Sequence, residues 1–281
     1  MLCGWSTGLF KLAGILRRSG SRDRHAWSCA IALVFGGAGL AAFVAYLAGA
    51  PWWLAIAAIK IGTFAYLLPM YFTVCHRMIP FFSASAIGPA YRAVKPSWSL
   101  PLVWLLSLVH LALELGHRFD AAWPVDTLLS AGLLWHWIAW QPWKCLRPGL
   151  LAALYLAFAW LPIAFALFAL QSAVLWFDGA FVLGRAPAHA LTVGFFGSML
   201  VAMVTRVTQG HSGRPLQMGA IAWTTLALLQ VVTLARIGAE FTHAAQTWLV
   251  VAGFGWIAAF APWVLRSLWI YATPRADGKP G

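Results

Sequence analysis

Residues 187–216 read PAHALTVGFFGSMLVAMVTRVTQGHSGRPL, an apolar stretch of membrane length with a histidine, His189, near its entry. Its exit is a tight polar cluster: Arg206, then His211, Ser212, Gly213, Arg214 and Pro215. Ionisable groups held at membrane depth are costly and by default mark a functional site. Imidazole supplies a ligand to haem iron or another metal, and a nearby guanidinium can bind a propionate through paired hydrogen bonds. Cys75-His76-Arg77 offers the same pairing. The candidate cofactor-binding residues are therefore His76, Arg77, His189, Arg206, His211 and Arg214, and the candidate metal ligands are His76, His110, His136, His189 and His211. Each has a plainer reading. A single membrane histidine is more often a hydrogen-bonded packing residue, and arginines at helix ends also fix orientation.

The elements that must position these residues are membrane helices. The chain is 62% hydrophobic and only 9% charged, whereas soluble chains are about a quarter charged. Runs of about 20 apolar residues span a bilayer core of about 30 Å. Eight are predicted, at 27–47, 52–74, 98–115, 123–140, 150–170, 188–207, 218–237 and 247–270, with one sizeable loop at 77–97 broken by Pro80, Pro89 and Pro96. The runs are continuous rather than alternating, so no β-barrel fits. The expected fold is an all-α polytopic membrane bundle: a basic, amphipathic N-terminal segment (1–26), one transmembrane domain (27–271) and a short tail (272–281).

Charge orients it. Alternate sides of these helices carry 15 and 3 of the 19 Lys and Arg, the three being Arg118, Arg185 and Arg236, while Lys60 lies within the second run. That asymmetry predicts both termini on the cytoplasmic side. The net charge of +12 needs no nucleic-acid partner, since basic loops face anionic lipid. A stretch around residues 9–16 reads as an interfacial amphipathic helix rather than a secretory signal. All four cysteines map to the reducing side without a C-x-x-C spacing, which leaves packing or a soft copper ligand.

Topology sorts the histidines into two layers. His76, His136 and His211 fall on the inner side; His117, His189 and His243 fall on the outer side, with His110 deeper, and His25 reads as a loop residue. His110, Glu114 and His117 are spaced i, i+4 and i+7, one face of a helix. Five of seven acids, Glu114 among them, also fall outside, so a histidine–carboxylate site is expected there, as ligands or as a ligand with its orienting partner. There is no phosphate-binding glycine loop, no H-E-x-x-H and no C-x-x-C-H. Any haem is therefore held noncovalently, as b-type. No nucleophile–base pair is visible, and dedicated catalytic turnover is not expected.

Two motifs carry a family resemblance. YLLPMYFTVCHRMIPFFSAS at 66–85 contains Arg77, Ile79, Pro80, Phe81 and Phe82, and HALTVGFFGSMLVAMVTRVTQGHSGRPL starts at His189. Together they resemble the NnrS family, read here over its C-terminal two thirds: haem- and copper-containing membrane proteins of the bacterial inner membrane, associated with the response to nitric oxide. The resemblance implies that His189, Arg206, His211, Gly213, Arg214, Pro215, Arg77 and Pro80 belong to a shared core. Members usually have about twelve membrane helices and a W-H-x-H-E segment, which this chain lacks. The function it implies is a haem-binding protein of the nitric-oxide response, with copper as a further cofactor, the lipid bilayer as surroundings and nitric oxide or another diatomic as ligand. Two alternatives stand beside it: a transmembrane b-type electron carrier ligated by His110 with His189 and His76 with His136, and a metal-free transporter-like protein.

Overall fold

Lipid offers no partners for backbone polar groups, so each apolar run closes its own hydrogen bonds as a helix. The computed structural model describes residues 1–20, 22–242 and 244–279, and no strand occurs among them. His243 lies outside the described residues. In chain order the helices are α1 (Leu2–Arg18), α2 (Arg24–Leu47), α3 (Trp53–Ile61), α4 (Leu68–Ile87), α5 (Ser99–Leu115) and α6 (Trp123–Ala139). A single turn, α7 (Pro142–Cys145), precedes α8 (Gly149–Asp178); α9 (Ala186–His189), α10 (Ser198–His211), α11 (Ala220–Gly238) and α12 (Ala245–Ala272) follow. Among the described residues six continuous helices are long and apolar enough to cross a membrane; α5 is apolar but shorter, and α6, also of 17 residues, stands where the fourth run was expected.

Burial decides the arrangement. Two thirds of the apolar window of α8 is buried (67%), against 17% for α2 and α12. α8 is apolar on every side, as a helix surrounded by others must be. It packs against α6, α10 and the stretch following α9, while α2 lies on α3 and α12 on α11. α1 docks onto α2 through Trp5, whose indole N–H donates to the Leu33 carbonyl (3.0 Å), and the ring abuts Gly36 and Gly37.

Two features depart from the expected elements. The segment 77–97 does not begin as a loop: α4 runs through Pro80 to Ile87, and helix Trp53–Ala90 is continuous over 38 residues. Pro80 fits because a proline in a helix costs one N–H. The carbonyl that loses its donor is that of His76, one turn earlier. Secondly, two stretches widen into π-helix, Gly62–Leu67 between α3 and α4 and Ala190–Gly197 between α9 and α10. Such turns gather at functional sites because they re-aim side chains. The first presents the Phe64 carbonyl to the Ser107 hydroxyl and the Phe64 ring to His110, 4.3 Å between centroids.

The second π turn brings Gly194 against Trp160. A Cβ at Gly194 would sit 2.8 Å from Trp160 Cδ2 and 3.1 Å from Thr233 Cγ2. The indole cannot swing away freely, because its N–H donates to Gln230 Oε1 (2.5 Å). Gly194→Ala is therefore expected to destabilise the fold by about 1–3 kcal/mol as overpacking. Thermal unfolding of the detergent-solubilised protein checks this: a clear drop in Tm is expected, and an unchanged Tm contradicts the close approach.

Candidate functional site

Asp23 starts the site by capping α2, its carboxylate accepting the His25 backbone N–H (2.9 Å), as an N-cap acid does. That cap places His25 in the first turn of α2 rather than in a loop. From there His25 Nε2 lies 3.0 Å from His76 Nδ1 on α4, and His25 Nδ1 lies 3.3 Å from Asp23 Oδ1. Arg77 donates to the other carboxylate oxygen (2.6 Å), and Lys95 donates to the Arg77 carbonyl (3.2 Å). The direction of this chain follows from its end. The negative charge of Asp23, 3.3 Å from His25 Nδ1, favours the His25 tautomer with its proton on that nitrogen, and His25 Nε2 is then the acceptor for His76 Nδ1–H. His76 Nε2 is left with a lone pair, buried and without a partner.

Around His76 stand Phe72, His136 and Trp140, with ring centroids 5.8, 5.9 and 6.2 Å away. His136 is differently placed. Its Nδ1 meets the Gly132 carbonyl (2.6 Å) and its Nε2 the Ser99 hydroxyl (2.8 Å), so both nitrogens are already engaged. Among the described inner-layer histidines, His76 thus holds the one buried nitrogen without a partner.

At the other end of the bundle, His110 Nδ1 lies 2.6 Å from Asp126 Oδ1, and its Nε2 lies 3.8 Å from Glu114 Oε1. Glu114 is ion-paired with Lys60. The pairing of histidine with carboxylate expected there is present, but its orienting acid is Asp126 on α6. His117 does not share the face: α5 ends at Leu115, and His117 is exposed with φ 55°. His189 accepts a hydrogen bond from Arg236 at Nε2 (2.5 Å).

The remaining candidates lie apart. His189 and His211 sit on one continuous 26-residue helix, 22 residues apart, or about 33 Å at 1.5 Å per residue. They belong to opposite ends. Arg206 stacks on Phe82, 3.8 Å from the ring centroid. His211 is exposed, and its carbonyl accepts from Arg275 (2.8 Å). Gly213 takes φ +68° just past the end of α10, and the Arg214 N–H returns to the Gln209 carbonyl (3.0 Å), which is why the motif needs glycine there. Arg214 donates to Thr273 (3.1 Å) and faces Trp269; its second terminal nitrogen is buried without a partner. The H-S-G-R-P motif is thereby held by the C-terminal tail, with the Ala276 N–H on the Ser212 carbonyl (2.9 Å).

The family model described as NnrS protein matches residues 2–275. The chain belongs to the NnrS family. The match runs along nearly the whole chain, beyond the C-terminal two thirds over which the motifs were read. Membership places it among membrane proteins of the nitric-oxide response, a family known for haem and copper. No curated protein and no solved structure matches the chain.

The residues present can be tested against those cofactors. For haem, the His76 lone pair is a fitting axial donor, oriented by a second imidazole and a carboxylate; the Phe72, His136 and Trp140 rings would have to part to admit the macrocycle. For copper, no group of three or more His, Cys, Asp or Glu side chains converges among the described residues. Cys75 and Cys145 are buried, and Cys145 rests on the Ser83 hydroxyl at 3.5 Å.

Sequence reasoning set His25 aside, although Asp23 followed by an apolar run is an N-cap signal that would have placed it on α2. Asp23 also yields a pH prediction. Partial burial pushes its carboxyl pKa up, but the His25 backbone N–H and Arg77 outweigh this and hold it below the usual value. A depressed carboxyl pKa adds stability above the unfolded value of about 3.9 and loses it as pH falls through the folded one. Asp23 is partly exposed, so the contribution is about 1 kcal/mol or less. Asp23→Asn is expected to lower Tm at pH 7 and to match the parent near pH 3; an equal gap at both pH values contradicts the assignment.

Proposed function

We propose that this chain is a haem-binding protein of the nitric-oxide response, seated in the bacterial inner membrane with both termini in the cytoplasm, and that His76 Nε2 would hold the haem iron. The observation that carries the reading is that bare, buried nitrogen at the end of the Asp23–His25–His76 chain. Bound there, haem would supply an iron at which a diatomic such as nitric oxide can bind. The protein's own part is orientation and exclusion of water. His25 takes the His76 Nδ1 proton in a hydrogen bond, which fixes the ring plane and raises the basicity of Nε2. Asp23, held by Arg77, fixes His25 in turn. Phe72 and Trp140, once parted to admit the macrocycle, would flank it and exclude water. Arg206 and Arg214 lie on the same side as His76 in the charge-based topology and are the guanidinium partners available to propionates.

Oxidised and dithionite-reduced spectra of the purified full chain, with iron quantified, test this. A Soret band that shifts with nitric oxide is expected, reduced to background in His76→Ala and retained in His211→Ala. A band of equal intensity in His76→Ala overturns the assignment of the donor, and colourless wild-type protein after expression with ample haem overturns the function.

A further inference from the structure

At the end of the bundle away from most of the basic residues, a cavity of about 310 Å³ is bounded by Lys60 on α3, His110 and Glu114 on α5, Asp126 on α6, Gln171 on α8 and Arg185 ahead of α9. Its inner wall is His110 and Asp126, neither of which has any exposed surface (0%). Six buried side-chain polar atoms among the described residues have no hydrogen-bond partner, and three of them, His110 Nε2, Asp126 Oδ2 and Gln171 Nε2, belong to residues lining this one cavity. Left unmet, each such atom costs about 1–3 kcal/mol. Their gathering in one place asks for an occupant.

The chemistry of the three atoms says which. With a neutral His110 ring whose Nδ1 proton goes to Asp126 Oδ1, His110 Nε2, 3.8 Å from Glu114 Oε1, is an acceptor, and Asp126 Oδ2 is a second. Gln171 Oε1 already accepts the Leu183 N–H (2.5 Å), so its amide nitrogen is a free donor. Two acceptors and a donor on residues that line one cavity match a small molecule that both donates and accepts, and the cavity is polar and roomy enough for several waters at about 30 Å³ each. The wall is rimmed by ionised groups, Arg185 and the Lys60–Glu114 pair, that hold water in turn.

We propose that this cavity is an aqueous vestibule, entered between Phe181, Gly184, Arg185 and Ala188, that brings water, and with it protons and small polar solutes, to His110 inside the bundle. The inference stands apart from the haem reading. It predicts that a thiol placed on the cavity wall reacts as a solvated one, because only the thiolate is nucleophilic and a thiol in an apolar packing stays protonated. Ala122 lines the cavity, and Ala152 on α8 does not; both are 5% exposed. Ala122→Cys and Ala152→Cys, each in a Cys3→Ser background, are reconstituted in lipid nanodiscs that leave both faces open and treated with a sulfonate-bearing methanethiosulfonate, with size-exclusion profiles confirming the fold. Labelling of Ala122→Cys about tenfold or more faster than Ala152→Cys is expected. Equal, slow labelling at the two positions overturns the vestibule.

Discussion

A buried imidazole has two nitrogens and, in lipid, few groups to satisfy them; how each histidine meets that constraint organises this molecule. His136 spends both nitrogens on neighbours and becomes packing. His189 has one nitrogen taken by Arg236. His76 is anchored on one side only, through His25 to Asp23, and keeps a bare nitrogen in a buried aromatic setting. An isolated histidine there would be free to turn its ring and bury either nitrogen. The carboxylate at the end of the chain removes that freedom, and Arg77 fixes the carboxylate. Two residues adjacent in sequence, His76 and Arg77, thus close a loop of interactions through the cap of another helix.

The same constraint acts at the opposite end with a different result. His110 is anchored by Asp126 and packed among the Phe64, Phe165 and Phe168 rings, but it also borders a cavity shared with Glu114 and Gln171. α8 keeps the ends apart: it is the most buried of the long helices, and the other elements pack around it. The π turns then adjust the helices locally, one beside His110 and the other directly after His189. The conspicuous H-S-G-R-P motif plays a more architectural part, ending α10 with Gly213 and pinning the C-terminal tail.

The apolar runs were legible in the sequence because hydropathy over about 20 residues is a strong, local signal. Helix 27–47 and helix 150–170 appear as α2 and α8, the latter prolonged to Asp178. The continuation of α4 through Pro80 was not legible, because proline reads as a break and only its surroundings decide whether a helix absorbs it. The π turns carry no composition of their own. Among the site residues, the pairing of His110 with a carboxylate followed from spacing, but Asp126, 16 residues away on another helix, did not. His117 failed as a face-mate because Gly116 ends the helix one residue before it. His25 was legible in principle, through the Asp23 cap, and its contact with His76 across 51 residues was not.

The account turns on which nitrogen of His76 is bare, and nitrogen NMR of the ¹⁵N-histidine-labelled, haem-free full chain in lipid reads that directly, with His76 assigned by the signal lost in His76→Gln. The Asp23–His25–His76 chain predicts a proton on Nδ1 and none on Nε2, and a return toward mixed tautomers in Asp23→Asn. A proton on Nε2 of His76 in the parent protein would contradict it.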